Sequence, residues 1–251
     1  MQFDKNKIIN DIKIVLVETT HPGNIGAAAR AMKTMGISRL GLVRPNGFPG
    51  AEATARAAGA DDILEVADLY DSLEESVKDC SMVFATSTRA RNLPWPVMDP
   101  EASATAIMQG IMRGGAAAIV FGRESSGLSN EDLELCNAVI RIPSNELFPC
   151  LNIAAAIQII CYELRKAVLK EDTVITPGCN RTPPATSDQM INLYEHLQQC
   201  LIDLEFYNPE RPKLLMRRMK LLFNRMQLDQ NEYNIIRGIL AAAQKAAKKG
   251  R

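Results

Sequence analysis

Three polar clusters, each set among small residues, are the parts of this chain that can do chemistry. The first is HPGNIGAAARAMKTMG, His21 to Gly36. Pro22, Gly23 and Asn24 read as a tight turn into a helix, and Arg30 stands four residues beyond Gly26 on the same side of it. A guanidinium over a surface kept bare by Gly26 and Ala27 to Ala29 suits a phosphate, because its planar fork takes two oxygens at once. The second cluster is FGRESSGLSNED, Phe121 to Asp132. Here Gly122 lets a ligand approach the backbone at a strand end, Glu124 can accept a hydrogen bond, and Gly127 permits a left-handed turn. An adjacent Arg123 and Glu124 in a buried position is a poor structural choice unless something binds there. In the third cluster, PCLNIAAAIQ, Asn152 falls near the first turn of a long apolar helix. Helix N-terminal amides and a cap-like Asn make a polar floor for an adenine edge or a carboxylate.

A fourth segment, ATSTRARNLPWP, accompanies these. A strand ending in Thr86, Ser87 and Thr88 offers hydroxyls and backbone groups to a ligand. Arg89 and Arg91 then flank a site beside the only tryptophan, Trp95, and cations beside an aromatic platform suit RNA, where phosphates pair and bases stack. Taken together the segments point to a nucleotide-type cofactor and an RNA substrate. Taken singly each has a plain structural reading: an ion-paired arginine on a capped surface helix, a tryptophan packing wedge, an N-capping Asn. Neither a phosphate-binding GxxxxGK[ST] loop nor a dinucleotide GxGxxG is present. Six cysteines without CxxC spacing and two histidines support neither a zinc site nor a disulfide framework, so no metal is expected.

The elements that must position these residues alternate. Strands are expected at Ile12 to Glu18, Arg39 to Val43, Ser81 to Thr86, Ala116 to Gly122 and Val139 to Ile142. Helices are expected at Asn24 to Met35, Ala51 to Ala58, Leu73 to Asp79, Ser103 to Arg113, Asn130 to Cys136 and Leu151 to Lys170. This pattern predicts an α/β fold: a mostly parallel sheet with helices on both faces, and ligands outside the carboxyl ends of the strands, where the clusters fall. The texture then changes. Glu171 to Asp188, with three prolines and no periodicity, reads as a linker, and three amphipathic helices follow it as a small all-α extension over 189–251.

At 251 residues and 47% hydrophobic the chain can bury a full core. No apolar run approaches the ~20 residues of a membrane span, so a cytoplasmic protein is expected. Net charge is zero, yet residues 189–251 carry 11 Lys and Arg against 6 Asp and Glu, and the rest carries 18 against 23. A basic tail on an acidic body suggests that the tail meets a polyanion, with Arg217, Arg218 and Lys220 as the candidate contacts; a solvated helix face is the plainer alternative.

In that order and at those separations, HPGNIGAAARAMKTMGI, TSTRARNLPWP, FGRESSGLSNED and CLNIAAAIQIICYELR resemble the SpoU branch of the SPOUT methyltransferases. Within it they are most similar to bacterial enzymes that methylate the 2'-hydroxyl of cytidine or uridine 32 in tRNA. The resemblance implies a catalytic domain over residues 1–170 with a trefoil knot near its C-terminal end, a homodimer, and S-adenosylmethionine held by Thr86, Ser87, Thr88, Gly122, Ile142, Cys150, Leu151 and Asn152. It makes Arg30 the catalytic arginine, Asn24 a shaper of the acceptor pocket and Glu124 the second-motif acid, with Arg89, Arg91 and Arg123 near the RNA. Cys150 stands where the family usually has Ser, and a thiol is a weak hydrogen-bond partner. Methylation of a different RNA nucleotide, or a non-catalytic RNA-binding relative, remains the alternative.

Overall fold

The computed structural model describes residues 9–88, 95–170 and 182–249. Seven strands form one sheet: β1 (Ile12–Val17), β2 (Arg39–Val43), β3 (Asp68–Tyr70), β4 (Met82–Thr86), β5 (Val97–Met98), β6 (Ala117–Phe121) and β7 (Ala138–Ile140), in the order β3-β2-β1-β6-β4-β7-β5. Every pairing among them is parallel. The central strands are continuous apolar runs because both faces are covered. Ile12, Ile14 and Leu16 of β1 join Phe84, Ile119 and Phe121 in one core. Val15 and Val17 join Val83, Ala85 and Val120 in the other. Lys13, 2% exposed, breaks the apolar pattern, and its ammonium is satisfied by Ser76 O at 2.9 Å and Asp79 Oδ1 at 3.0 Å.

The helices are α1 (Pro22–Thr34), α2 (Ala51–Ala57), α3 (Asp61–Glu65), α4 (Leu73–Val77), α5 (Pro100–Met112), α6 (Asn130–Glu134), α7 (Ile153–Lys170), α8 (Ser187–Asp203), α9 (Leu215–Met226) and α10 (Gln230–Lys249). Several starts are visible in the sequence: Pro22 and Pro100 occupy the first turns of α1 and α5, and Ser129 with Asp132 closes a capping box on α6. Three elements were not expected. β3 and β5, of three and two residues, are the sheet's edges, too short to show a period, and α3 is a five-residue helix just ahead of β3.

Helices α8, α9 and α10 share their own core around Leu193, Leu197, Cys200, Leu228 and Leu240. They also lean on the sheet domain, where Leu221 of α9 joins the core that contains Val83 and Leu133. Part of the stretch read as a linker is fastened there. Ala185 N donates to Leu228 O at 2.8 Å, and Ser187 N donates to Cys80 O at 2.8 Å. Thr186 and Gln189 make a second capping box that starts α8 inside that stretch. Residues 171–181 lie outside the described residues.

Candidate functional site

The three clusters meet at the carboxyl ends of β1, β4, β6 and β7. The Glu124 carboxylate accepts from Thr20 N at 3.1 Å and Thr20 Oγ1 at 2.9 Å, both on Oε2, and from Asn24 Nδ2 at 3.0 Å on Oε1. Asn24 Oδ1 in turn accepts from Asn152 Nδ2 at 3.1 Å, and Asn152 Oδ1 caps α7 by accepting from Ala154 N at 2.9 Å. The chain of bonds has one sense. A carboxylate can only accept, so Asn24 must turn its amide nitrogen to Glu124 and its oxygen to Asn152. Burial pushes the Glu124 carboxyl up, but the bonds from Asn24 and Thr20 outweigh this and hold it below the usual carboxylate range. It is therefore an ionised acceptor that orders the first motif.

Arg30 lies six residues beyond Asn24 on α1, roughly 9 Å of helical rise away. It is exposed and, among the described residues, has no ion-pair or hydrogen-bond partner. The flat surface expected beneath it takes a different form. A Cβ on Gly26 would sit 1.9 Å from Ala53 O, and Ala28 and Ala29 are fully buried. These small residues let α1 pack tightly on α2 and the sheet; the arginine stands clear of them.

Arg123, expected to need a ligand, finds its partners within the chain. Its Nε and Nη2 pair with the Glu18 carboxylate at 2.6 and 2.8 Å, and its Nη1 reaches Asp132 Oδ2 at 3.2 Å. The bonds from Arg123 and Arg44 hold the Glu18 carboxyl at about 2. Gly122 does allow a close approach, but of the loop to itself: a Cβ there would lie 2.4 Å from Gly127 C and Leu128 N. Trp95, 9% exposed, is a packing wedge in the core and offers no stacking face. Arg89 and Arg91 lie outside the described residues.

The expected cofactor positions converge. Thr86 is in register with Ile140, Ser87 N donates to Ile140 O at 3.2 Å, and the Thr86 hydroxyl donates to Val120 O at 3.0 Å. Thr88 Oγ1 lies 3.9 Å from Cys150 Sγ, which joins the loop after β4 to the one before α7. Ile142 is half-buried against the core, while Leu151 is 42% exposed next to Cys150. The donor set is thus hydroxyls, backbone groups and apolar side chains. Among the described residues no group of His, Cys, Asp and Glu could hold a metal ion, and no helix is long and apolar enough to cross a membrane.

The tail's cations divide. Arg217 pairs with Glu134 at 2.6 Å and Glu131 at 3.2 Å, and Lys220 pairs with Glu134 at 3.0 Å, so both are tied to α6. Arg218 is exposed and has no ion pair among the described residues. Sequence reading missed Glu18 and Thr20. The signal was the run Glu18-Thr19-Thr20 at a strand end, where β4 likewise ends in hydroxyls.

A parallel sheet with this constellation at its carboxyl edge defines a SpoU-type methylase, and the profile of the SpoU rRNA Methylase family matches residues 11–162; the chain belongs to that family. Residues 188–251 match the tRNA methyltransferase TrmJ, C-terminal domain. The tRNA (cytidine/uridine/adenosine-2'-O-)-methyltransferase TrmJ of Pseudomonas aeruginosa is 45% identical over 248 residues, 96% of each chain. The tRNA (cytidine/uridine-2'-O-)-methyltransferase TrmJ of Pectobacterium atrosepticum is 41% identical over 95% of this chain and 98% of its own. Among solved structures, TrmJ from Z. mobilis ZM4 superposes with a TM-score of 0.79 at 32% identity, covering 92% of this chain and 97% of its own.

Proposed function

We propose that this chain transfers a methyl group from S-adenosylmethionine to the ribose 2'-hydroxyl of a tRNA nucleotide, cytidine or uridine 32 of the anticodon loop. The observation that carries this reading is the Thr20–Glu124–Asn24–Asn152 network, whose Asn24 lies on the same helix as Arg30, which has no ion-pair or hydrogen-bond partner among the described residues. Relatives alike over nearly the whole chain bear names of tRNA 2'-O-methyltransferases.

The cofactor fits the donor set. Leu151 and Ile142 offer apolar contact for an adenine, and Thr88, Cys150 and the backbone around Ser87 and Gly122 offer polar groups at its rim. When bound, S-adenosylmethionine supplies a methyl group already activated on a sulfonium. The protein's share is alignment, which holds the attacking oxygen in line. A guanidinium is not deprotonated in proteins and is a poor base. Arg30 therefore acts by binding the phosphate beside the ribose and stabilising the charge that develops on the 2'-oxygen. Asn24, held at both ends of its amide, shapes the acceptor pocket with a fixed orientation. Its anchor is Glu124, whose bonds are already taken by Thr20 and Asn24, so it positions the site more than it moves protons.

The working unit in this reading is a cytoplasmic homodimer with the knotted threading of its family. Leu147 and Phe148, 93% and 80% exposed ahead of α7, and Tyr162 and Leu169 on α7 itself supply apolar surface for a second copy. The basic tail serves as the tRNA-binding extension. One observation widens the substrate range: the relative at 45% identity carries adenosine in its name beside cytidine and uridine, so adenosine belongs among the bases to be tried. Mapping 2'-O-methylation in tRNA from cells lacking the gene tests the reading. Loss at position 32, restored by the gene, is the expected result; an unchanged methylation map overturns it.

A further inference from the structure

Glu18 and Arg44, at the ends of β1 and β2, both take left-handed backbone angles, φ +49° and +44°. Residues with a Cβ occupy that region at a cost and stay there only where their surroundings fix them. Here the fixing groups form a line. Arg44 donates to the Glu18 carboxylate through Nη2 and Nε and to Asp71 O at 2.9 Å. Glu18 accepts the two-pronged fork of Arg123. Arg123 continues to Asp132 Oδ2, the same oxygen that accepts from Ser129 N at 2.8 Å in the capping box of α6. The loop after β6 is thereby anchored at Arg123 and again at Asp132.

Arg123 is the residue before Glu124, and Glu18 stands two residues before Thr20. Two successive residues of one loop thus grip two positions of the other. In one grip the carboxylate comes from the β1 side, in the other from the β6 side. The strands beneath are hydrogen-bonded neighbours, with Leu16 in register with Phe121. A single grip would leave the loop free to turn about it; two close together fix its direction. Removing the first leaves Glu124 attached but free to drift, and with it the amide of Asn24.

We propose that Glu18 is a positioning residue for methyl transfer: through the fork of Arg123 it sets the direction of Glu124, and so of Asn24, without itself touching the substrate. The proposal rests on the methyl-transfer reading above. Its test uses the full-length protein, a tRNA transcript and S-adenosylmethionine. Glu18→Gln keeps the size and removes the charge, and is expected to lower kcat about tenfold or more while KM for tRNA stays within about threefold, since misplacement by a fraction of an ångström acts on the reacting geometry. Because Glu18 acts through Glu124, the double variant with Glu124→Gln should lose no more than Glu124→Gln alone. Hydrogen exchange on the ligand-free protein should rise in residues 18–24 and 122–129 together and stay unchanged in β2. Should Glu18→Gln fail to fold, Arg123→Lys, which keeps the charge but not the fork, takes its place with the same expectations. A kcat within twofold of wild type, or losses that multiply in the double variant, overturns the proposal and leaves methyl transfer standing. A wild type that transfers no methyl group sinks both.

Discussion

Two polar networks of similar make-up end in opposite ways. At the strand ends, Thr20, Glu124, Asn24 and Asn152 pass hydrogen bonds along a line of exposed or half-buried residues, with Arg30, which has no partner among the described residues, further along α1. Between the sheet domain and the tail, Asn224 is 5% exposed. It donates to Glu134 O at 3.0 Å and Cys136 O at 3.2 Å, accepts from Tyr194 at 2.5 Å, and receives Asn137 on its carbonyl at 3.1 Å. Each polar group of Asn224 thus has a partner, and Arg217 and Lys220 pair with Glu134 alongside it. In the function proposed above the first network receives the substrate; the second holds two parts of the chain together. Composition cannot tell them apart, since each contains amides, carboxylates and arginine.

The sharpest way to break this contrast is to remove the uncommitted group. Arg30→Ala should cut methyl transfer by about a thousandfold, as expected when a group that stabilises developing charge is lost. S-adenosylmethionine binding measured by calorimetry should persist, and Arg30→Lys should also fail because a point charge does not replace the fork. Near-normal turnover in either variant would place Arg30 outside the site. The closed network should answer in stability instead. Asn224→Ala leaves two carbonyls without this donor and the Tyr194 hydroxyl with only Lys220 O at 3.4 Å, and should lower stability by about 2–3 kcal/mol in thermal unfolding while sparing kcat. A fall in kcat at unchanged stability would merge the two networks into one.

The tail sharpens the comparison on a smaller scale. Arg211, Lys213, Arg218 and Arg225 are exposed and have no ion pair among the described residues, unlike Arg217 and Lys220. Arg218→Ala with Arg225→Ala should therefore reduce the salt dependence of tRNA binding by roughly 2 in the log–log slope, about one per lost phosphate contact. Arg217→Ala should change the slope less and loosen the tail. Deleting the tail is a blunter tool than its separate helical core suggests, because Leu221 belongs to a core of the sheet domain.

The smallest effect concerns acid. Glu18 is depressed from 4.5 to about 2 by Arg123 and Arg44. A lowered carboxyl stabilises the fold fully above its unfolded value and loses that contribution as pH falls through its folded one. Acid unfolding of wild type and Glu18→Gln should thus differ above about pH 4.5 and converge toward pH 2. A constant gap across that window would remove the ion pair from the account.

Much of this was legible in the residues. Strands such as IKIVLV and AAIVF announce a doubly covered parallel sheet, since apolar runs without alternation have few other uses. Glu124 and Asn152 stand out by their chemistry and Asn24 by the family resemblance, and the three, 128 residues apart at the extremes, do meet. What stayed hidden depends on partners distant in sequence. Gly26 looks like a ligand surface until Ala53 is seen against it. Arg123 looks like a site residue until Glu18 supplies its carboxylate, and Arg217 and Lys220 look free until Glu134 appears. A charge can be read from a chain, but its pairing is decided by tertiary contacts.

The most direct test of methyl transfer to a 2'-hydroxyl is a comparison of two tRNA transcripts that differ by one oxygen. Purified protein is supplied with radiolabelled S-adenosylmethionine and with either an all-ribose tRNA or the same tRNA carrying 2'-deoxyribose at nucleotide 32. Label should enter the first and not the second. Equal incorporation into both would contradict the account.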